Sequence, residues 1–266
     1  MKKIILLVTT LTLAVSAGAQ DWAKAKLEKS PRHHEWVKIK QGDREVHCFL
    51  VFPEVKEKAT AVVVIHENRG LTDWVRSVAD QLAEAGYIAI APDLLSGAGP
   101  NGGKTSDFSG QDAATKAIYA LPADQVTADL KAVRDYVAKL PAANGKVAVG
   151  GFCWGGAQTF RAATNLKDIK AAFVFYGTGP ESEPDIARVQ CPVYGFYGGN
   201  DARVNATISK SEELMKKAGK TYEPVKYDGA GHGFMRAGED PGNSVEANKK
   251  ARDDGWKRWL GLLKNI

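Results

Sequence analysis

The sequence predicts an α/β fold: a mostly parallel central sheet of about eight strands with helices on both faces. Three observations carry this. Strand-like and helix-like segments alternate through most of the chain. The run at 61–65, Ala-Val-Val-Val-Ile, is short, continuous and β-branched, as a strand buried on both faces requires. The chemically loaded residues fall just after strand-like runs, where open parallel sheets bind ligands.

Taken in order, residues 20–34 are polar without periodicity and read as an irregular arm. Residues 36–39 and 46–52 read as strands joined by a Gln41-Gly42-Asp43 turn, an antiparallel hairpin at one sheet edge. After the 61–65 strand, Val75, Val78, Leu82 and Ala85 recur at helical spacing over 72–85, and Gly86 ends that helix. Residues 87–91 form the next strand, closed by Pro92-Asp93. Residues 96–112 hold five glycines among Ser, Asn and Lys and read as a mobile loop at the sheet's C-terminal edge. Helices follow at 123–139 and 155–164, around a strand ending at 147–150. Further strands are expected at 171–176, 193–197 and 222–227, with helices at 208–218 and 244–263.

The chain has 266 residues, 44% hydrophobic and 25% charged, an ordinary globular composition for one domain over residues 20–266. Residues 1–19 read as a cleavable signal peptide. Lys2 and Lys3 form the positive start, 4–15 the apolar stretch, and Ala17-Gly18-Ala19 the small-residue cleavage site. A periplasmic or secreted location follows, with no stable membrane anchoring. Without that segment 34 basic and 31 acidic residues remain, a net charge of +3. The basic residues around Lys249, Lys250, Arg252, Lys257 and Arg258 fit the solvated face of a terminal helix, so no nucleic-acid partner is expected. Of the three cysteines, Cys48, Cys153 and Cys191, at least one must be free.

The most specific signal is Gly151-Phe152-Cys153-Trp154-Gly155, directly behind the apolar run at 147–150. It is the glycine-flanked nucleophile elbow of the α/β-hydrolase architecture, with cysteine in the nucleophile position. A thiolate needs a base, and the base needs an orienting acid, in the chain order nucleophile, acid, histidine. Of the five histidines only His232 follows Cys153, in a glycine-rich loop past the last strand. Asp201 follows a strand between them. Asp228 lies too near His232 in sequence to reach around its ring, and Asp185 ranks third. The backbone N–H groups of Trp154 and Asn68 are the expected oxyanion donors. His66-Glu67 is not a zinc pair, because Gly70 stands where a second histidine is needed.

These pieces, with Ala91-Pro92-Asp93-Leu94, Gly198-Gly199-Asn200-Asp201 and His232-Gly233-Phe234, make the chain similar to the dienelactone hydrolase family. The resemblance implies a Cys153–Asp201–His232 triad and hydrolysis of small esters or lactones without metal or organic cofactor. It implies that Glu67 helps switch the resting thiol to thiolate, and that Arg236 grips a substrate carboxylate. The family often carries a further carboxylate-binding arginine after the Pro-Asp-Leu segment. Residues 95–99 contain none here, and Lys104 is the candidate in its place. Two other readings use the same residues: a thiol-dependent acyltransferase or peptidase, and a non-enzymatic redox-sensing or binding protein.

Overall fold

The computed structural model describes residues 20–266; the expected signal segment, residues 1–19, lies outside them. Eight strands form one sheet in the order β1-β2-β4-β3-β5-β6-β7-β8. They are β1 (His34–Gln41), β2 (Arg44–Val51), β3 (Ala59–Ile65), β4 (Ile88–Asp93), β5 (Ala143–Phe152), β6 (Ile169–Phe175), β7 (Val193–Gly198) and β8 (Tyr222–Tyr227). The hairpin expected at one edge is β1–β2, and β2 also runs antiparallel to β4. From β4 to β8 every neighbouring pair is parallel. The mostly parallel sheet with helices on both faces is therefore borne out.

Side-chain alternation along the strands divides the core into two layers. Ala61, Val63 and Ile65 of β3 pack with Leu130 and Val133 of α4 (Ala123–Ala138) and Phe160 of α5 (Trp154–Asn165). Val62 and Val64 face the other way, onto Trp74 and Val78 of α2 (Asp73–Glu84) and Trp259 of α9 (Glu246–Leu263). Two-sided burial is why the parallel strands read as continuous apolar runs.

Some expectations fail. Residues 20–34 are not an irregular arm: Asp21–Lys29 is a helix, α1. Its Ala23 and Leu27, one turn apart, are buried with the apolar side of α2. That two-residue stripe is too narrow to stand out in a polar segment, and tertiary packing supplies the stability that the local sequence lacks. Three more short helices, α3 (Gln111–Tyr119), α6 (Glu183–Ala187) and α8 (Phe234–Glu239), fall where no helix was expected. Helix α7 (Ala202–Lys217) starts six residues earlier than its periodicity suggested.

The 96–112 segment is also more structured than its glycines imply. It contains two 3₁₀ turns, Pro100–Gly102 and Thr105–Asp107. Thr105 donates from its backbone N–H and its hydroxyl to the two oxygens of Asp93, at 3.0 and 2.7 Å. The buried carboxylate at the end of β4 thus holds the segment against the sheet.

Candidate active site

Cys153 stands between β5 and α5 at φ +56°, ψ −116°. Non-glycine residues avoid that region, and holding one there costs on the order of 1–3 kcal/mol. The surroundings enforce it. A Cβ on Gly151 would stand 2.4 Å from the Gly155 carbonyl oxygen, and one on Gly155 would stand 2.3 Å from that of His66. Both glycines are required by close passage of strand, turn and helix, as the elbow motif anticipates.

Asp201 and His232 arrive from β7 and β8. The Asn200 N–H donates to the Ala230 carbonyl at 2.9 Å, tying the two loops together. Asn248 of α9 accepts from the Gly231 N–H at 2.9 Å. Asp201 caps α7 by accepting from the Val204 N–H at 3.3 Å, and its other oxygen lies 2.5 Å from His232 Nδ1. Of the competing acids, Asp228 is exposed and Asp185 pairs with Arg188 at 2.6 Å. The His232 imidazole is raised to about 9, first by the Cys153 sulfur and then by Asp201, against the opposing effect of burial.

Asn68 lies in the turn after β3. Among the described residues neither its N–H nor that of Trp154 is donated to a protein acceptor, so both are free for an oxyanion. Two contacts that sequence reasoning missed hold this turn. The Thr115 hydroxyl of α3 donates to the Asn68 carbonyl at 2.8 Å. His66 is fully buried. Its Nε2 accepts from the Leu94 N–H at 3.3 Å, which assigns the proton to Nδ1 and makes Nδ1 the donor to the Glu67 carbonyl at 2.7 Å. Burial lowers the His66 pKa, in keeping with that neutral ring. Trp154 stacks on the His66 ring at 5.5 Å.

Glu67 is buried and accepts from Arg236 Nε at 2.8 Å. The residues expected to switch the thiol and to grip a carboxylate are therefore bound to each other. A cavity of about 110 Å³ opens over Cys153, lined also by Tyr119, Trp154, Tyr176 and Arg203. Arg236 is not among its lining residues. Tyr176 is fully buried, packs against the His232 ring at 5.1 Å and has no partner for its hydroxyl. Lys104 lines a separate hollow of about 360 Å³ with Trp36 and Arg76, which shares no residue with the Cys153 cavity. Among the described residues no group of three His, Cys, Asp or Glu side chains is placed to hold a metal ion, and no helix is long and apolar enough to cross a membrane.

An eight-stranded, mostly parallel sheet with a strained, glycine-flanked strand–turn–helix at its carboxyl edge defines an α/β-hydrolase fold. Within that class the chain belongs to the dienelactone hydrolase family, whose model matches residues 46–266. A Salmonella typhimurium protein, inferred to be a carboxymethylenebutenolidase, is 34% identical over 236 residues, covering 83% of this chain and 82% of its own. An Escherichia coli K12 protein with the same inferred name is 32% identical over 218 residues, 76% of each chain. A crystal structure from Klebsiella pneumoniae, described as an inferred dienelactone hydrolase, superposes with a TM-score of 0.76 at 25% identity, covering 88% of this chain and 99% of that one. The chain is a dienelactone hydrolase-like enzyme of the ester and lactone hydrolase type.

Proposed function

We propose that this enzyme is exported and hydrolyses small esters or lactones through a cysteine nucleophile, Cys153, with His232 as acid and base and Asp201 as its orienting group. The observation that carries this reading is the Asp201–His232 pair, 2.5 Å apart, beside a strained elbow cysteine. The Cys153 thiolate attacks the carbonyl carbon, and the amides of Trp154 and Asn68 stabilise the oxyanion. Collapse expels the alkoxide or enolate, which takes a proton from the His232 imidazolium and leaves a thioester. Neutral His232 then takes a proton from water as the water attacks the thioester. The second collapse returns thiolate and imidazolium, and Asp201 holds the ring's orientation throughout.

Glu67 and Arg236 fit a switch. A substrate carboxylate that takes the Arg236 Nε displaces Glu67, and the freed carboxylate can then take the resting thiol's proton. A cavity of about 110 Å³ favours a small acyl group over a peptide. The relatives' names make a carboxymethylene butenolide the first substrate to try. Export rests on residues 1–19 alone.

The test is turnover of dienelactone beside a neutral aryl ester, by the mature protein and by Cys153→Ala. We expect dienelactone hydrolysis to fall by at least about 10³-fold in the variant. Turnover that survives the loss of Cys153 sinks the cysteine mechanism. Hydrolysis of the aryl ester alone keeps the triad and moves the natural substrate elsewhere. A signal-peptide fusion retained uncleaved in the cytoplasm would refute export.

A further inference from the structure

The hollow of about 360 Å³ lies on the same carboxyl edge of the sheet as Cys153, but apart from it. Trp36 of β1 forms one wall, Asp73 and Arg76 at the start of α2 another, and Asp93 closes β4 beside them. Lys104 and Gln111 complete the lining. Trp36 pairs with Phe49, and Phe49 with Ala91, so the indole stands level with the last residues of β4. β1 and β5 are four strand spacings apart, roughly 19 Å at about 4.8 Å each.

Trp74 and Trp259 are fully buried, but Trp36 is 51% exposed. Its ring is nevertheless held in place. Phe49 packs edge-on at 5.5 Å, and the Arg76 guanidinium lies over the ring at 5.7 Å. Arg76 is tied in turn to one oxygen of Asp73, whose other oxygen has no protein partner among the described residues. An aromatic ring fixed in this way yet left open to water is a pre-organised platform.

The charged side chains of the lining balance, Arg76 and Lys104 against Asp73 and Asp93. Net charge is therefore not what this hollow selects. Asp73 accepts hydrogen bonds, Arg76 and Lys104 donate them, and the Gln111 amide does both. Donors and acceptors around an aromatic ring match a neutral ring with hydroxyls on its rim and C–H groups on its face. The hydroxyls both donate and accept. The C–H groups are drawn to the negative face of the indole.

We propose that this hollow binds a neutral pyranose sugar, stacked on Trp36 and held by Asp73, Arg76 and Gln111. The proposal does not depend on the role of Cys153. A saccharide held there leaves the Cys153 cavity free, because the two share no lining residue.

The test is saturation-transfer NMR on the folded protein with four neutral disaccharides, cellobiose, xylobiose, maltose and diacetylchitobiose, each followed by titration. At least one should bind with a dissociation constant of about 0.1–10 mM, as one stacked ring and a few exposed hydrogen bonds allow. Trp36→Ala and Asp73→Asn should each weaken that binding at least about fivefold. Trp36→Phe should keep most of it. An unchanged circular dichroism spectrum shows that a variant's loss is not unfolding, and if Trp36→Ala fails to fold, Asp73→Asn decides. The assignment is overturned if no disaccharide binds below about 10 mM, or if binding survives Trp36→Ala or Asp73→Asn intact. Binding of benzyl alcohol or acetate while all four sugars fail would give the hollow to an aromatic or anionic ligand, and equally overturn it.

Discussion

The His232 imidazole, beside the Cys153 sulfur and the Asp201 carboxylate, has its pKa raised to about 9. An unfolded histidine titrates near 6.5. The charged ring is therefore favoured in the folded protein. The stability it contributes is fully present below about pH 6.5 and is lost as pH rises through about 9. Thermal melts from pH 6 to 10 should show a decline across that window in the wild type and a flatter course in His232→Gln. Equal slopes would mean that the imidazolium has no special environment. At this scale the turn at Cys153 was legible from its flanking glycines, and the chain order with the lone downstream histidine pointed to Asp201 and His232, which the fold places 2.5 Å apart. Between Asp201 and Asp228 sequence distance alone favoured Asp201, and in the fold it is Asp201 that lies 2.5 Å from His232 Nδ1. Tyr176 and Thr115 left no signal in the sequence. Each matters only through where a distant element delivers it.

Elements position the chemistry through backbone contacts. The turn carrying Asn68 is held by His66 from β3 and by Thr115 from α3. Thr115 touches the carbonyl of Asn68, whose N–H we propose as an oxyanion donor, and under that proposal Thr115 is a positioning residue. Thr115→Val removes the donor and keeps the shape. We expect kcat for a neutral ester to fall about two- to tenfold with little change in KM, since the lost interaction acts on the transition state. Thr115→Ser should restore kcat by returning the hydroxyl. A valine variant with unchanged kcat, or a serine variant as impaired as valine, removes Thr115 from this role. Helix α3 was missed in the sequence for the same reason as α1. Its buried residues, Ala114 and Ile118, make a stripe of two, and a helix this short takes its stability from what it covers. The long helices and parallel strands were legible because their apolar periodicity extends over several turns or a full buried run.

The order of strands across the whole molecule fixes the fate of the remaining cysteines. Cys48 lies on β2 and Cys191 just before β7, five strand spacings apart in the sheet. At about 4.8 Å per spacing that separates them by roughly 24 Å, far beyond the span of a disulfide. All three thiols are free, and the sequence alone left that pairing open. Burial pushes the Cys191 thiol up to about 12 and raises that of Cys48 well above its usual value. Neither is a competent nucleophile or an oxidant's first target while the fold is closed. The fold thus packs Cys48 and Cys191 into the sheet's apolar layer and leaves only Cys153 partly exposed. Native alkylation should therefore add one label, lost in Cys153→Ala. Three labels should appear only after denaturation, and reductant should leave the unfolding midpoint unchanged. A second label on the native protein, or a midpoint lowered by reductant, would show that a thiol assigned to the core is reachable or bonded.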